Sequence, residues 1–203
     1  MSDDALKAAQ AKAAHIEPEA AAFAIGASFL AGDNGDSSRG TLDVPFLGSS
    51  VSLTYPALEL APDAEALPSH VVALLVYHLG ISDGSEPTGE WVSFGDLPSG
   101  AFYVNAFRGY TGTAVARRFG DEPEVLASRL EALGAEPIEG FADKAWTIRA
   151  LPKVPVMVLW WDADDEFQAR ADLLFDSDVL HHLPLDGCAV LGSWLTARLM
   201  SEG

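Results

Sequence analysis

Four acids in a short span, Asp162, Asp164, Asp165 and Glu166, follow directly on the apolar run Val156–Trp161. Carboxylates at this density can hold a hard cation through oxygen ligands, but the spacing and the glycine of a calcium loop are missing. A charged, solvated hairpin tip is the plainer expectation for such a run. A second group combines Asp176 and Asp178 with the neighbours His181 and His182. A neutral imidazole beside carboxylates suits zinc, iron or nickel, and equally suits proton transfer. Adjacent histidines point apart, so only one of them, taken as His181, could serve a site. If two strands pair here and the following turn tracks the sheet end, Asp162, Asp176 and His181 meet. They would then bind a divalent metal, or His181 would act as general base with Asp162 or Asp176 orienting it. Surface or capping roles for all three are the alternative.

The aromatic residues add a possible pocket wall. Trp160 and Trp161 must point to opposite faces of a strand. One joins the core; the other, Trp161, is free to line a ligand site with Trp91 and Phe94 adjacent. With Trp146 and Tyr103 elsewhere in the chain, a flat apolar ligand such as a tetrapyrrole is conceivable, and plain core packing competes with that reading. Cys188 falls on an apolar helical stripe and reads as an inert buried thiol. His78, on a nearly all-apolar helix, reads as a hydrogen-bonded core histidine.

The elements that must position these groups follow from punctuation and periodicity. Alanine-rich Asp3–Ala14 predicts a helix capped by Ser2 or Asp3, and Pro18 after Glu17 starts a second. A meander follows: Ala27–Ala31, a turn containing Asn34-Gly35, then Thr41–Phe46 and Ser50–Tyr55 joined at Leu47-Gly48-Ser49, with Leu58–Leu60 as a short edge. Ser69 is expected to cap a helix His70–Leu79 that Gly80 ends. Trp91–Phe94 is a short strand. Phe102–Phe119 reads as one helix weakened at Gly109 and Gly112. A helix starting at Pro123, capped by Asp121, buries Leu126, Leu130 and Leu133. Lys144–Leu151 and the Val154–Trp161 stretch form a hairpin through Pro152-Lys153, and Ala171–Asp176 returns. One helical turn, Ser177–Leu180, leads to a final helix, Leu185–Met200. Strands that arrive in hairpins predict an α+β fold, with an antiparallel sheet and helices packed on it. At 203 residues the expectation is one domain, with residues 1–17 as a helical extension.

Bulk properties remove several function classes. Thirty acids against twelve bases make a net charge of −18, a field that repels phosphate backbones and anionic lipid. Nucleic acid and membranes are therefore not expected partners; a small molecule or a protein is. No apolar run is long enough for a membrane span, and the acidic N-terminus does not resemble a secretory signal. The single cysteine excludes an internal disulfide. Together these point to the cytoplasm. Phosphate-loop, dinucleotide-binding, nucleophile-elbow and His-Glu-x-x-His motifs are absent.

Several stretches in combination resemble the domain-of-unknown-function 3786 family. They are Pro45-Phe46-Leu47-Gly48, the helix with His78-Leu79, Gly89 through Gly100, and Arg118-Phe119-Gly120. Pro155 through Trp160, Asp164 to Phe167, Leu174-Phe175-Asp176 and Leu183-Pro184 complete the set. The resemblance runs from about Pro18 to Leu195, nearly the whole chain. It implies no particular activity. It does imply an anaerobe-type setting in which some members are joined to a cysteine-rich iron–sulfur module; with Cys188 alone, any cluster here would belong to a partner. Trp91, Phe94, Trp160, Asp164, Phe167 and Asp176 are the motif residues it singles out.

The expectation is therefore a soluble cytoplasmic binding or accessory domain that holds a small ligand or metal cofactor, or docks on a redox partner. An acid–base enzyme built on His181, and an acidic surface that binds a basic partner without any pocket, are the alternatives.

Overall fold

A computed structural model describes residues 3–13, 15–32 and 35–201. The Ser2 cap and the Asn34 turn residue lie outside the described residues. Helix α1 (Asp3–Ala13) packs Ala9 and Ala13 into the core, and Gln10 Nε2 donates to the Leu58 carbonyl at 3.1 Å. Helix α2 (Pro18–Ile25) has proline in its first turn and Glu17 as cap, whose carboxylate accepts from the Glu19 and Ala20 amides.

The strands are antiparallel throughout and divide into two sheets. Strands β1 (Ser28–Ala31), β2 (Gly40–Phe46) and β3 (Ser49–Tyr55) form the first, in that order. Leu47 and Gly48 both take positive φ in the two-residue turn between β2 and β3. A side chain on Gly48 would strike the Leu133 backbone. The alternation read in β2 holds, with Leu42, Val44 and Phe46 all buried.

Helix α3 (Ser69–Ile81) follows, buried on nearly every side. Ser69 is its first residue rather than its cap, and the helix runs through Gly80 because the Ser82 amide still donates to the His78 carbonyl. Strand β4 (Trp91–Ser93) is followed by a 3₁₀ turn over Phe94–Asp96, closed by reciprocal Ser93–Asp96 hydrogen bonds. That turn sends Phe94 inward, onto Phe107 at 4.2 Å between ring centroids.

The expected long helix is two: α4 (Val104–Tyr110) and α5 (Gly112–Phe119), with Thr111 non-helical between them. Helix α6 (Pro123–Ala132) buries Leu126 and Leu130, leaves Leu133 just past its end, and is preceded by Glu122 rather than capped by Asp121. Strand β5 (Glu136–Ile138), not expected from the sequence, pairs with β6 (Lys144–Leu151). Strands β7 (Val154–Trp161) and β8 (Arg170–Asp176) complete the second sheet, ordered β4-β8-β7-β6-β5. Helix α7 (Leu185–Met200) has the expected bounds and buries Cys188, Leu191, Leu195 and Leu199.

One apolar cluster joins both sheets and the helices, and includes Trp160, Phe175, Leu53 and Leu74. The opposite face of the five-stranded sheet carries a small second cluster, in which Trp91, Trp161 and Leu174 pack over Met157 and Leu159. No described helix is long and apolar enough to cross a membrane. The α+β architecture read from the hairpin pattern is the one present.

Candidate functional site

The central hairpin decides which candidate residues can meet. Trp161 pairs with Arg170 at one end of β7–β8, and Val156 pairs with Phe175 at the other. Asp162 therefore belongs to the β7–β8 turn, whereas Asp176 closes the far end of β8. Seven residue steps of about 3.3 Å put them roughly 23 Å apart. The expected meeting of Asp162, Asp176 and His181 does not occur, because an antiparallel return carries the chain away from the turn. Among the described residues no group of three or more His, Cys, Asp or Glu side chains could hold a metal ion. Trp91 and Trp161 share the outer sheet face, but Phe94 is buried in the main core, so these three do not line one pocket.

At the Asp176 end the carboxylate is engaged by donors of the chain itself. Buried Asp176 accepts from the Thr88 amide and hydroxyl and the Asp178 amide at 3.1 Å, and from the Gly89 amide at 2.7 Å. Burial opposes its ionisation, but the Asp178, Thr88 and Gly89 donors outweigh that and keep the carboxyl below its ordinary range. His181 is exposed and pairs with Asp83 at 2.6 Å, so the carboxylate that orients it is neither Asp162 nor Asp176. Its hydrogen bond to Asp83 raises the imidazole above its usual value.

His182, the other of the pair, is buried with Nδ1 2.8 Å from Ser82 Oγ. His78 Nδ1 lies 3.2 Å from the His182 carbonyl, and its Nε2 is buried with no hydrogen-bond partner among the described residues. Burial pushes the His78 imidazole down to about 4 and also lowers His182. Both are neutral in the folded protein at neutral pH, while the unfolded chain takes up protons on them first. Their contribution to stability is full above the ordinary histidine value of about 6.5 and is lost as pH falls below it. The urea midpoint is expected to fall between those limits, and to fall less in His78→Asn. An identical pH slope in the variant would mean that His78 does not carry the effect.

At the Asp162 end the acidic run is a structured turn. Asp162 accepts from the Trp160 indole at 2.8 Å and from Lys144 at 3.0 Å, which hold its carboxyl low. Asp164 accepts from the Glu166 and Phe167 amides, a local ring that presents Phe167 70% exposed. The Arg170 guanidinium stacks over Trp161 at 3.8 Å.

Between this turn and α5 lies an open cleft of about 500 Å³. Thr113, Ala116, Arg117, Gly120 and Asp121 line one side, and Ala163 with Gln168–Ala171 the other. Among the described residues neither Arg117 nor Arg170 has a carboxylate within ion-pair distance, although acids outnumber bases by thirty to twelve. A second open groove near the β6–β7 turn holds Arg149, but its Lys153 is already paired with Glu86. From the sequence Arg117 reads, with Arg118, only as a charge marking a helix end, and Arg170 is passed over although it stands just after the acidic run.

A family model described as "Domain of unknown function (DUF3786)" matches residues 17–198, leaving only α1 and the last few residues outside. No curated protein matches the chain, and no solved structure does.

Proposed function

The chain belongs to the DUF3786 family, and from that premise we propose that it is a binding domain whose site is the cleft between α5 and the β7–β8 turn, and whose ligand is a small anion. The observation that carries this reading is that Arg117 and Arg170 both line one cleft, against the single lining carboxylate Asp121, and that neither has an ion-pair partner among the described residues. Guanidinium matches carboxylate and phosphate groups through parallel hydrogen bonds. Thr113 and Gln168 add neutral hydrogen-bonding groups at the same walls, and a cleft of this size suits a small molecule. Stacking on Trp161 limits the motion of Arg170 before a ligand arrives. The cytoplasm, the compartment expected from the single cysteine, is where the proposal places this binding.

Calorimetric titration of the full chain with inorganic phosphate, pyrophosphate, citrate and a nucleoside triphosphate tests it. At least one is expected to bind, with affinity falling as salt rises. Arg117→Ala and Arg170→Ala are each expected to weaken it about tenfold, or about 1.4 kcal/mol. Saturating binding that ignores both substitutions, or none of the four binding at all, would sink the proposal.

A further inference from the structure

We propose that the segment Asp83 to Pro87 is an acid-released strap over His182, closed at neutral pH and open once that imidazole takes up a proton. This goes beyond the anion cleft and does not depend on it. Among the described residues, no backbone–backbone hydrogen bond ties Gly84 through Gly89 to the rest of the chain. Side chains hold the strap instead. Ser82 Oγ lies 2.8 Å from His182 Nδ1 and Ser85 Oγ 3.5 Å from Nε2, so a serine on each side of Asp83 faces one ring nitrogen. Asp83 pairs with His181 at 2.6 Å, its amide donates to the His181 carbonyl at 3.3 Å, and Glu86 pairs with Lys153. Just past Pro87, the Thr88 and Gly89 amides donate to Asp176. Each of these anchors, His181, His182, Lys153 and Asp176, carries a titratable side chain.

A proton on His182 is unfavourable while the strap is closed. The residue is 1% exposed, and its ring stands 6.0 Å from that of the equally buried His78. Burial is the largest reason that its imidazole titrates below the ordinary histidine value. Charged groups face it from every side: Asp83 and Glu86 on the strap, Lys153 at the β6–β7 turn, His78 on α3, and His181 and Asp178 beside it in the chain. The three carboxylates favour the proton, whereas Lys153 and the two histidines oppose it. The strap carboxylates are exposed and already engaged by His181 and Lys153, so they compensate little. Moving the strap aside lets water reach the ring and restores the ordinary value of about 6.5. Closure is therefore full above that value and is lost as pH falls towards the folded one. His181 acts in the other direction, since its pair with Asp83 strengthens when it gains a proton. Asp176 stays ionised through this range and keeps Thr88 and Gly89 tied. Opening withdraws Asp83, Gly84 and Glu86 from the groove they line with Phe23, Ala24 and Gly26.

The test follows the full, isotope-labelled chain by NMR downward from about pH 7 until the His182 ring has titrated. Amide order parameters of Gly84, Ser85 and Glu86 are expected to fall while those of α7 hold. The open-to-closed ratio is expected to rise about tenfold per pH unit, as release on a single proton requires. The fall is expected to share its midpoint with the His182 ring resonances and not with those of His181. His182→Gln is expected to keep the strap ordered throughout. Asp83→Asn removes the opposing pair and is expected to move the opening to higher pH. Should His182→Gln fail to fold, the two histidine midpoints of the wild-type chain still decide. Order parameters that do not change as His182 titrates overturn the inference. So does a fall that follows His181, an equal fall in folded His182→Gln, or a fall that α7 shares, which is global unfolding.

Discussion

Asp176→Ala is expected to lower folding stability by about 3 kcal/mol. The carboxylate accepts from three backbone amides and one hydroxyl, and it ties the Thr88–Gly89 loop to the end of β8 across from Trp91. Its removal leaves those amides facing a methyl group. Thr88 and Gly89 are exposed enough for water to satisfy part of the loss, which keeps the figure below a full sum of four charge-assisted bonds. Asp176→Asn is expected to cost less, because one oxygen remains to accept. The pH dependence has a definite sign. The folded carboxyl titrates below its ordinary value of 3.8, so its contribution is complete above that value and is lost as pH falls through the folded one. Urea unfolding followed by tryptophan fluorescence reads the effect. A midpoint equal to wild type would show that the loop does not depend on Asp176.

Gly112→Ala is expected to destabilise the protein by about 2 kcal/mol, against the sense of helix propensity. Alanine at an ordinary helix position gains up to about 1 kcal/mol over glycine. Here a Cβ would stand 2.1 Å from the Ala171 carbonyl oxygen, a backbone atom within the β7–β8 ladder that cannot swing away. Overpacking of that kind costs about 3 kcal/mol. Relief requires α5 to move off β8. Because α5 carries Thr113, Ala116 and Arg117, small-anion binding is expected to weaken with it. Gly109→Ala is the matched comparison: nothing lies within 4 Å of a Cβ there, so it is expected to leave stability equal or slightly raised. The two glycines differ by three positions in sequence, and thermal unfolding of the two variants separates close approach from intrinsic propensity. Equal midpoints would remove the steric argument.

Much of the scaffold was legible because it is written in local terms. The hairpins at Leu47-Gly48 and Pro152-Lys153, the bounds of α7 and the buried stripe Leu126–Leu130 follow from turn residues and from periods of 2 or 3.6. What failed locally failed for a tertiary reason. The reading of Phe102–Phe119 as one helix had glycines in its favour and against it. Contact with the β8 backbone at Gly112 places the break at Thr111. Strand β5 has a proline and only three residues, and pairing with β6 is what makes it a strand.

The candidate site divides the same way. Residue types and charge by themselves determined the α+β class, the antiparallel hairpins and the burial of Cys188 and His78, since burial and alternation depend on each residue and its near neighbours. They also picked out the acidic turn Asp162–Glu166 beside Trp161, which borders the cleft. Only the tertiary structure decided that Asp162 and Asp176 stand at opposite ends of the sheet, that His181 pairs with Asp83, and that Phe94 and Trp91 lie on opposite sides. Arg117 and Arg170, more than fifty positions apart in sequence, become two walls of one cleft. No local pattern encodes that proximity. It arises from strand register and from the packing of α5 on β8, which are settled by long-range contacts.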